Sequence, residues 1–259
     1  MKLLLWNVNG IRACYKQDLR TIFDQNLADI VCLEEVKAWP EQLSSEQLCP
    51  NNYQSEFSIA EKKGYSGVAT FSSKALPQTQ IQKGFGEARF DSEGRILVSK
   101  FQDFLVYNIY FPSGTTGELR QNFKYEFLDY VYNYFATLST SERANAIVCG
   151  DFNICHREID IHHPKKAEQQ QLSGFLKPER DWVSRFLELG FSDAFRQANG
   201  DLSSQYTWWS YRAGSRGKNL GWRIDYFMLG KTIQARLESC QILTDLKGSD
   251  HAPVLVTLA

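Results

Sequence analysis

The chain has no surplus of either charge. Its 29 Lys and Arg against 30 Asp and Glu leave a formal net charge of −1. That excludes a uniformly basic coat, so any contact with a polyanion needs a local basic patch. It has no apolar stretch near the roughly 18 residues of a membrane span. The opening run Leu3-Leu4-Leu5-Trp6 turns polar at Asn7, too soon for a signal-peptide core, and no small-residue cleavage site follows. These absences point to a cytoplasmic protein with no membrane contact. Cys14, Cys32, Cys49, Cys149, Cys155 and Cys240 include no C-x-x-C pair, so neither a zinc site nor a disulfide framework has its spacing. Cys32 and Cys149 sit in apolar runs, where a thiol packs as a small hydrophobe. No Pro-, Gly- or Ser-rich linker and no internal repeat divides the chain, so residues 1–259 read as one domain.

What is present is a succession of short apolar runs bounded by Gly, Asp, Asn or Pro. Residues 3–6, 30–33, 67–71, 96–101, 104–110, 146–149, 224–229 and 254–258 read as strands. Over 122–138, Phe123, Phe127, Leu128, Val131, Phe135 and Leu138 recur at helical spacing. Over 178–189, Pro178 suits a helix start, and Trp182, Val183, Phe186 and Leu187 form an apolar stripe. Residues 13–27 form a third, weaker helical pattern. Many strands and few helices predict an α/β fold of two packed sheets with helices outside.

Three of the strands run straight into an acid or amide. Residues 3–6 lead to Asn7 and Asn9, 30–33 to Glu34 and Glu35, and 146–150 to Asp151 and Asn153. A fourth case is reversed, with Ser249-Asp250-His251 just before the last strand. Alone, an Asp or Asn after a strand is a turn residue. Together, the strand ends are where open sheets bind ligands. Oxygen donors with almost no Cys or His suit a hard cation such as Mg²⁺. A histidine among carboxylates can move a proton or charge near neutral pH. The combination implies hydrolysis of a phosphodiester or phosphomonoester.

Tyr206, Trp208, Trp209, Tyr211, Trp222, Tyr226 and Phe227 crowd one region, with Arg212, Arg216, Lys218 and Arg223 interleaved. Aromatic faces beside cations suit nucleotides or sugars. Core packing is the reading for Trp209 and Phe227; Trp208 and Trp222 are the pocket candidates. Residues 212–221, with three glycines, read as an exposed basic loop. His162-His163 looks like a metal pair, but adjacent strand residues face opposite ways, so a solvated loop pair is expected.

The segments Trp6-Asn7-Val8-Asn9-Gly10-Ile11-Arg12, Gly64-Tyr65-Ser66-Gly67-Val68, Gly150-Asp151-Phe152-Asn153, Asn219-Leu220-Gly221-Trp222-Arg223-Ile224-Asp225-Tyr226-Phe227 and Gly248-Ser249-Asp250-His251-Ala252-Pro253 resemble the exonuclease III / AP endonuclease family. Gly174-Phe175-Leu176-Lys177-Pro178-Glu179-Arg180 and the Gly-Trp-Arg segment point to its DNA-repair branch. The resemblance implies a four-layered α/β sandwich, DNase I-like, with two mixed sheets flanked by helices. It implies Mg²⁺, with Mn²⁺ as a substitute, on Glu35 and Asp250 with Asn7 close by. Asp151 would orient or deprotonate the attacking water with help from Asn153. Asp225 would hold His251 against a phosphate oxygen, and Tyr110 would sit by the scissile phosphate. Trp208 and Trp222 would line the pocket for a flipped-out sugar. Asn9, Arg212, Arg216, Lys218 and Arg223 would bind the substrate, and small Gly174 would leave room for duplex. The implied activity is cutting 5′ to an abasic site to leave a 3′-hydroxyl, with 3′→5′ exonuclease or 3′-phosphodiesterase activity. The partner would be double-stranded DNA with an abasic site or blocked 3′ end, met by a monomer.

The chain departs from the family at three places. Leu33-Glu34-Glu35-Val36-Lys37 stands where Leu-Gln-Glu-Thr-Lys is usual, so Glu34 is expected to add a negative charge near the site. Ser113 replaces a common Asn and Trp208 a common Phe. Two rivals share these features: another phosphoesterase of the superfamily, such as a non-specific nuclease or phosphoinositide phosphatase, and a non-catalytic nucleic-acid-binding module.

Overall fold

A computed structural model describes residues 1–259. Twelve strands follow one another: β1 (Lys2–Asn7), β2 (Ile30–Glu34), β3 (Tyr53–Ser58), β4 (Val68–Ser73), β5 (Gln80–Lys83), β6 (Ile96–Lys100), β7 (Leu105–Ile109), β8 (Ala146–Asp151), β9 (Phe191–Asp193), β10 (Asp225–Gly230), β11 (Leu237–Ile242) and β12 (Val254–Leu258). They form two six-stranded sheets, ordered β11-β12-β1-β2-β4-β3 and β5-β6-β7-β8-β10-β9. Both are mixed: β1 with β2 and β7 with β8 pair in parallel, and the other pairs are antiparallel.

Side-chain alternation along each strand makes the four layers. On β1, Leu3 and Leu5 join Cys32, Ile147, Cys149 and Phe227 in the core between the sheets. Leu4 and Trp6 point the other way, against Leu19, Ile22 and Phe23 of the N-terminal helices. On the second sheet, Val148 and Tyr226 pack outward against Phe127 and Val131 of helix Glu118–Thr137 and Trp182 and Phe186 of helix Lys177–Glu188. A central strand covered on both faces must be apolar at consecutive positions, which is why these runs are continuous.

All eight expected strands are present, and four more were missed: β3, β5, β9 and β11. The long helix begins at Glu118, earlier than the expected 122, directly after Gly117 at φ 114°. The weak helix over 13–27 is instead two pieces, Ile11–Tyr15 and Asp18–Asp24. The break is held from outside: Asp18 N–H donates to Lys247 O, and Lys247 N–H donates to the Asp18 carboxylate at 2.7 Å.

Strand register decides where the chemistry gathers. Asn7 on β1 pairs with Glu34 on β2, and Asp225 on β10 pairs with Asp151 on β8. β12 runs antiparallel to β1, with Leu5 opposite Val254, so the residues before β12 reach the same end as Asn7. The reversed fourth motif is thereby brought beside the other three.

Candidate active site

The two sheets join at this end through side chains. Asn7 Nδ2 donates to Glu35 Oε1 and to Asp151 Oδ2, each at 2.9 Å, bridging one sheet to the other. The Asp151 backbone N–H donates to Glu34 Oε2 at 2.7 Å across the same seam. The Ser249 hydroxyl donates to Asn7 O at 2.7 Å, and the Trp6 indole donates to His251 O at 3.0 Å. The strand ends then turn sharply: Asn9, Glu35, Lys37 and Asn153 all have φ between 45° and 53°. Non-glycine residues visit this region rarely and at a cost, and here it re-aims side chains into the cleft.

Glu35, Tyr110, Asp151, Asn153, Trp208, Trp222, Asp250 and His251 line one cavity of about 650 Å³. Asp225 lies beneath it, with His251 Nδ1 2.9 Å from Oδ2 and 3.1 Å from Oδ1. That leaves His251 Nε2 facing the cavity, 3.8 Å from Asp151 Oδ2. Burial works against the charged imidazole, but the charge and hydrogen bond of Asp225, then Asp151 and Asp250, outweigh it and push His251 up to about 10. Burial and the charge of Asp225 push Asp151 up to about 7, with His251 opposing. Burial, Glu35 and Asp151 raise the Tyr110 phenol despite the Arg95 guanidinium 4.6 Å above its ring. Tyr110 therefore stays protonated and donates to Glu35 Oε1 at 2.8 Å.

Glu35 also meets Lys37, at 2.6 Å, and Lys37 donates to Asn9 Oδ1 at 2.6 Å. Asn9 in turn donates to Asp250 Oδ1 at 3.0 Å, and the Trp208 indole donates to Asp250 Oδ2 at 3.0 Å. Asn9, expected on the substrate, thus braces a candidate ligand. Asn7 presents its amide nitrogen to the two carboxylates, and its oxygen accepts from the Asn9 N–H at 3.1 Å. As placed it is a bridge between candidate ligands rather than one of them. Three carboxylates on the wall with one imidazole fit a hard divalent cation. Asp151, Asp225 and His251 also offer atoms within 4.8 Å of one another.

Three other expectations need correction. Arg223 does not reach phosphate: it is 1% exposed, paired with Asp160 at 2.8 Å and Asp193 at 2.7 Å. Arg216 spends its guanidinium on Ser249 O, Thr244 O and Leu246 O and stacks on Trp209, fastening the segment before Asp250. At Gly174 a Cβ would lie 2.9 Å from both Asn153 O and Trp222 Cζ3, so the glycine serves close packing of the cavity wall. Arg212 and Lys218 are exposed, as a basic loop requires. Trp208 and Trp222 meet edge-on, 5.9 Å between ring centres at 87°, while Trp209 and Phe227 are core. His162 is half-buried and His163 exposed, away from the cavity wall.

Glu34 also differs from expectation. It is fully buried, and burial followed by the charges of Asp151 and Asp225 raises it far above the usual carboxylate range. Burial strongly disfavours the added charge that the sequence led us to expect, at a position where glutamine is usual. The sequence reading also missed Thr115, Gln121, Leu172, Ser173, Leu176 and Ile224 on the cavity wall. The loop residues carried no pattern, Gln121 lies on the first turn of helix Glu118–Thr137 ahead of the expected start, and Ile224 was hidden inside its strand motif.

An imidazole held by one carboxylate and facing others around a single cavity suits phosphoester hydrolysis assisted by a divalent cation. That arrangement defines a metal-assisted phosphoesterase. The chain belongs to the endonuclease/exonuclease/phosphatase family, whose model matches residues 4–251. It is 40% identical over 255 residues to an exodeoxyribonuclease of Bacillus subtilis, covering 98% of each chain. It is 34% identical over 263 residues to the DNA repair nuclease APEX1 of Danio rerio, covering 100% of this chain and 82% of the other. An AP endonuclease structure from Archaeoglobus fulgidus superposes with a TM-score of 0.85 at 26% identity, covering 100% and 99%.

Proposed function

We propose that the chain hydrolyses the DNA backbone 5′ to abasic sites, leaving a 3′-hydroxyl, with Mg²⁺ as its metal and Mn²⁺ as a substitute. The same centre would trim blocked 3′ ends, because a terminal phosphoester presents the same bond. The observation that carries this reading is the shared cavity: Trp208 and Trp222 form an apolar wall beside Glu35, Asp151, Asp250 and His251. An abasic nucleotide has lost its stacking and pairing, so extruding it costs less than extruding an intact one. Perpendicular indoles accept a bare sugar and crowd a base.

Glu35 and Asp250 would hold the cation, which when bound polarises the phosphoryl oxygens and offsets their charge. Asp151 orients water for in-line attack and accepts its proton, while Asn153 N–H holds Asp151 Oδ1 at 2.8 Å. His251, fixed by Asp225, donates from Nε2 to a phosphate oxygen as charge builds. Tyr110 keeps Glu35 oriented. All these groups come from one chain, which supports a monomer as the working unit. Six unpaired cysteines support a reducing, cytoplasmic setting. The test sets a duplex with one abasic site beside intact duplex and soluble inositol polyphosphates. The abasic duplex is expected to be cut far faster; phosphate release from the inositol compounds at a comparable rate would overturn the assignment.

A further inference from the structure

Lys124 and Glu179 are both fully buried, in a place where the chemistry above does not use them. Lys124 projects from helix Glu118–Thr137 and donates to Glu179 Oε1 at 2.5 Å and to Asn153 O at 2.9 Å. Glu179, on helix Lys177–Glu188, accepts from Gly174 N–H at 2.7 Å and Leu176 N–H at 3.0 Å through its other oxygen. Gln121 donates to it at 3.1 Å. Gly174 O then accepts from Cys155 N–H at 2.7 Å, closing a ring between the Asp151–Cys155 turn and the 172–176 segment. Leu172, Ser173 and Leu176 line the same cavity as Asp151 and Asn153. A buried ion pair is a poor source of stability, since apolar replacements of similar shape are often neutral. What this pair does is tie one wall of the cavity to the other.

We propose that Lys124 and Glu179 are positioning residues that set the distance between the reacting wall and the 172–176 wall. Lys124 fixes the Asn153 carbonyl in its left-handed turn, and Glu179 fixes the segment hydrogen-bonded to that turn. The inference rests on the reading of Asp151 and Asn153 given above. Wild-type incision of abasic duplex in the same assay tests that reading separately from the variants. In K124M/E179Q both charges go while an amide oxygen remains for Gly174 and Leu176. Its melting temperature is expected within about 4 °C of wild type. Its kcat on abasic duplex should fall roughly a hundredfold at near-constant KM, as for a wall displaced by about 1 Å. Its preference for abasic over intact 3′-recessed DNA should shrink as well. K124R keeps the charge and the pair but not the single-point contact to Asn153. Its larger head group should lower the melting temperature in this closed site, and at temperatures where it is folded kcat should still fall about tenfold. Wild-type kcat in either folded variant overturns the proposal. So does a loss confined to KM, or one that appears only where the protein has begun to melt.

Discussion

Neighbouring acids on β2 do opposite things. Glu35 turns into the cavity among Lys37, Asn7 and Tyr110, and those partners hold it below the usual carboxylate range although burial alone would raise it. Glu34 points into the seam between the sheets, where burial and the charges of Asp151 and Asp225 push its carboxyl well above the ordinary value. A raised folded pKa means that stability drains away as pH climbs above the unfolded value of about 4.3. E34Q has no such loss. Its melting temperature should therefore gain on wild type between pH 4 and 7, with kcat within about threefold. A large fall in kcat would show that the ionised acid is needed. At the reacting groups, D151N and H251N should each slow single-turnover cleavage of abasic duplex by at least about a hundredfold. DNA binding, measured by fluorescence anisotropy, should change little. These residues were legible in the sequence because each follows or precedes an apolar run. Lys124 was not, although its spacing to Leu128 and Val131 puts it on the buried helix face.

The four strands that escaped sequence reading are the four sheet edges: β3 and β11 on one sheet, β5 and β9 on the other. An edge strand lacks one neighbour, and β5, Gln-Ile-Gln-Lys, has no fully buried residue. Polar composition protects such edges from pairing with other chains and also hides them from a hydrophobicity pattern. The same limit explains the error over Arg223, whose basic surroundings suggested phosphate. Its true partner Asp160 lies in a separate stretch that no local pattern links to it. Together they anchor the residues before β10 and so the start that carries Asp225. Burial raises the Asp160 carboxyl, but Arg223 and Arg196 outweigh it and hold it low. Its contribution to stability is therefore present above about pH 4 and lost as pH falls through the lower folded value. D160N should cost about 3 kcal/mol at neutral pH, because it removes the carboxylate shared by Arg223 and Arg196 and leaves Arg223 with Asp193 alone. Thermal melts should show that gap narrowing below about pH 4; a gap constant with pH would assign the effect to packing instead.

At the scale of the molecule, two sheets packed face to face supply a rigid floor whose strand ends meet at one rim. The layers were readable from continuous apolar runs, and the family from its motifs. The closure of the cavity by residues 113–117 and 171–176 was not, because loops carry neither helical nor strand period. That rim is proposed to be a metal-dependent cutter of the backbone at a missing base. The most direct measurement follows a 5′-labelled duplex with one abasic site, beside the intact duplex, in Mg²⁺ and in EDTA. The expected result is a single product ending in a 3′-hydroxyl immediately 5′ to the lesion, formed in Mg²⁺ alone, with no internal cut in the intact duplex. Equal internal cutting of both duplexes, or cutting that persists in EDTA, would contradict it.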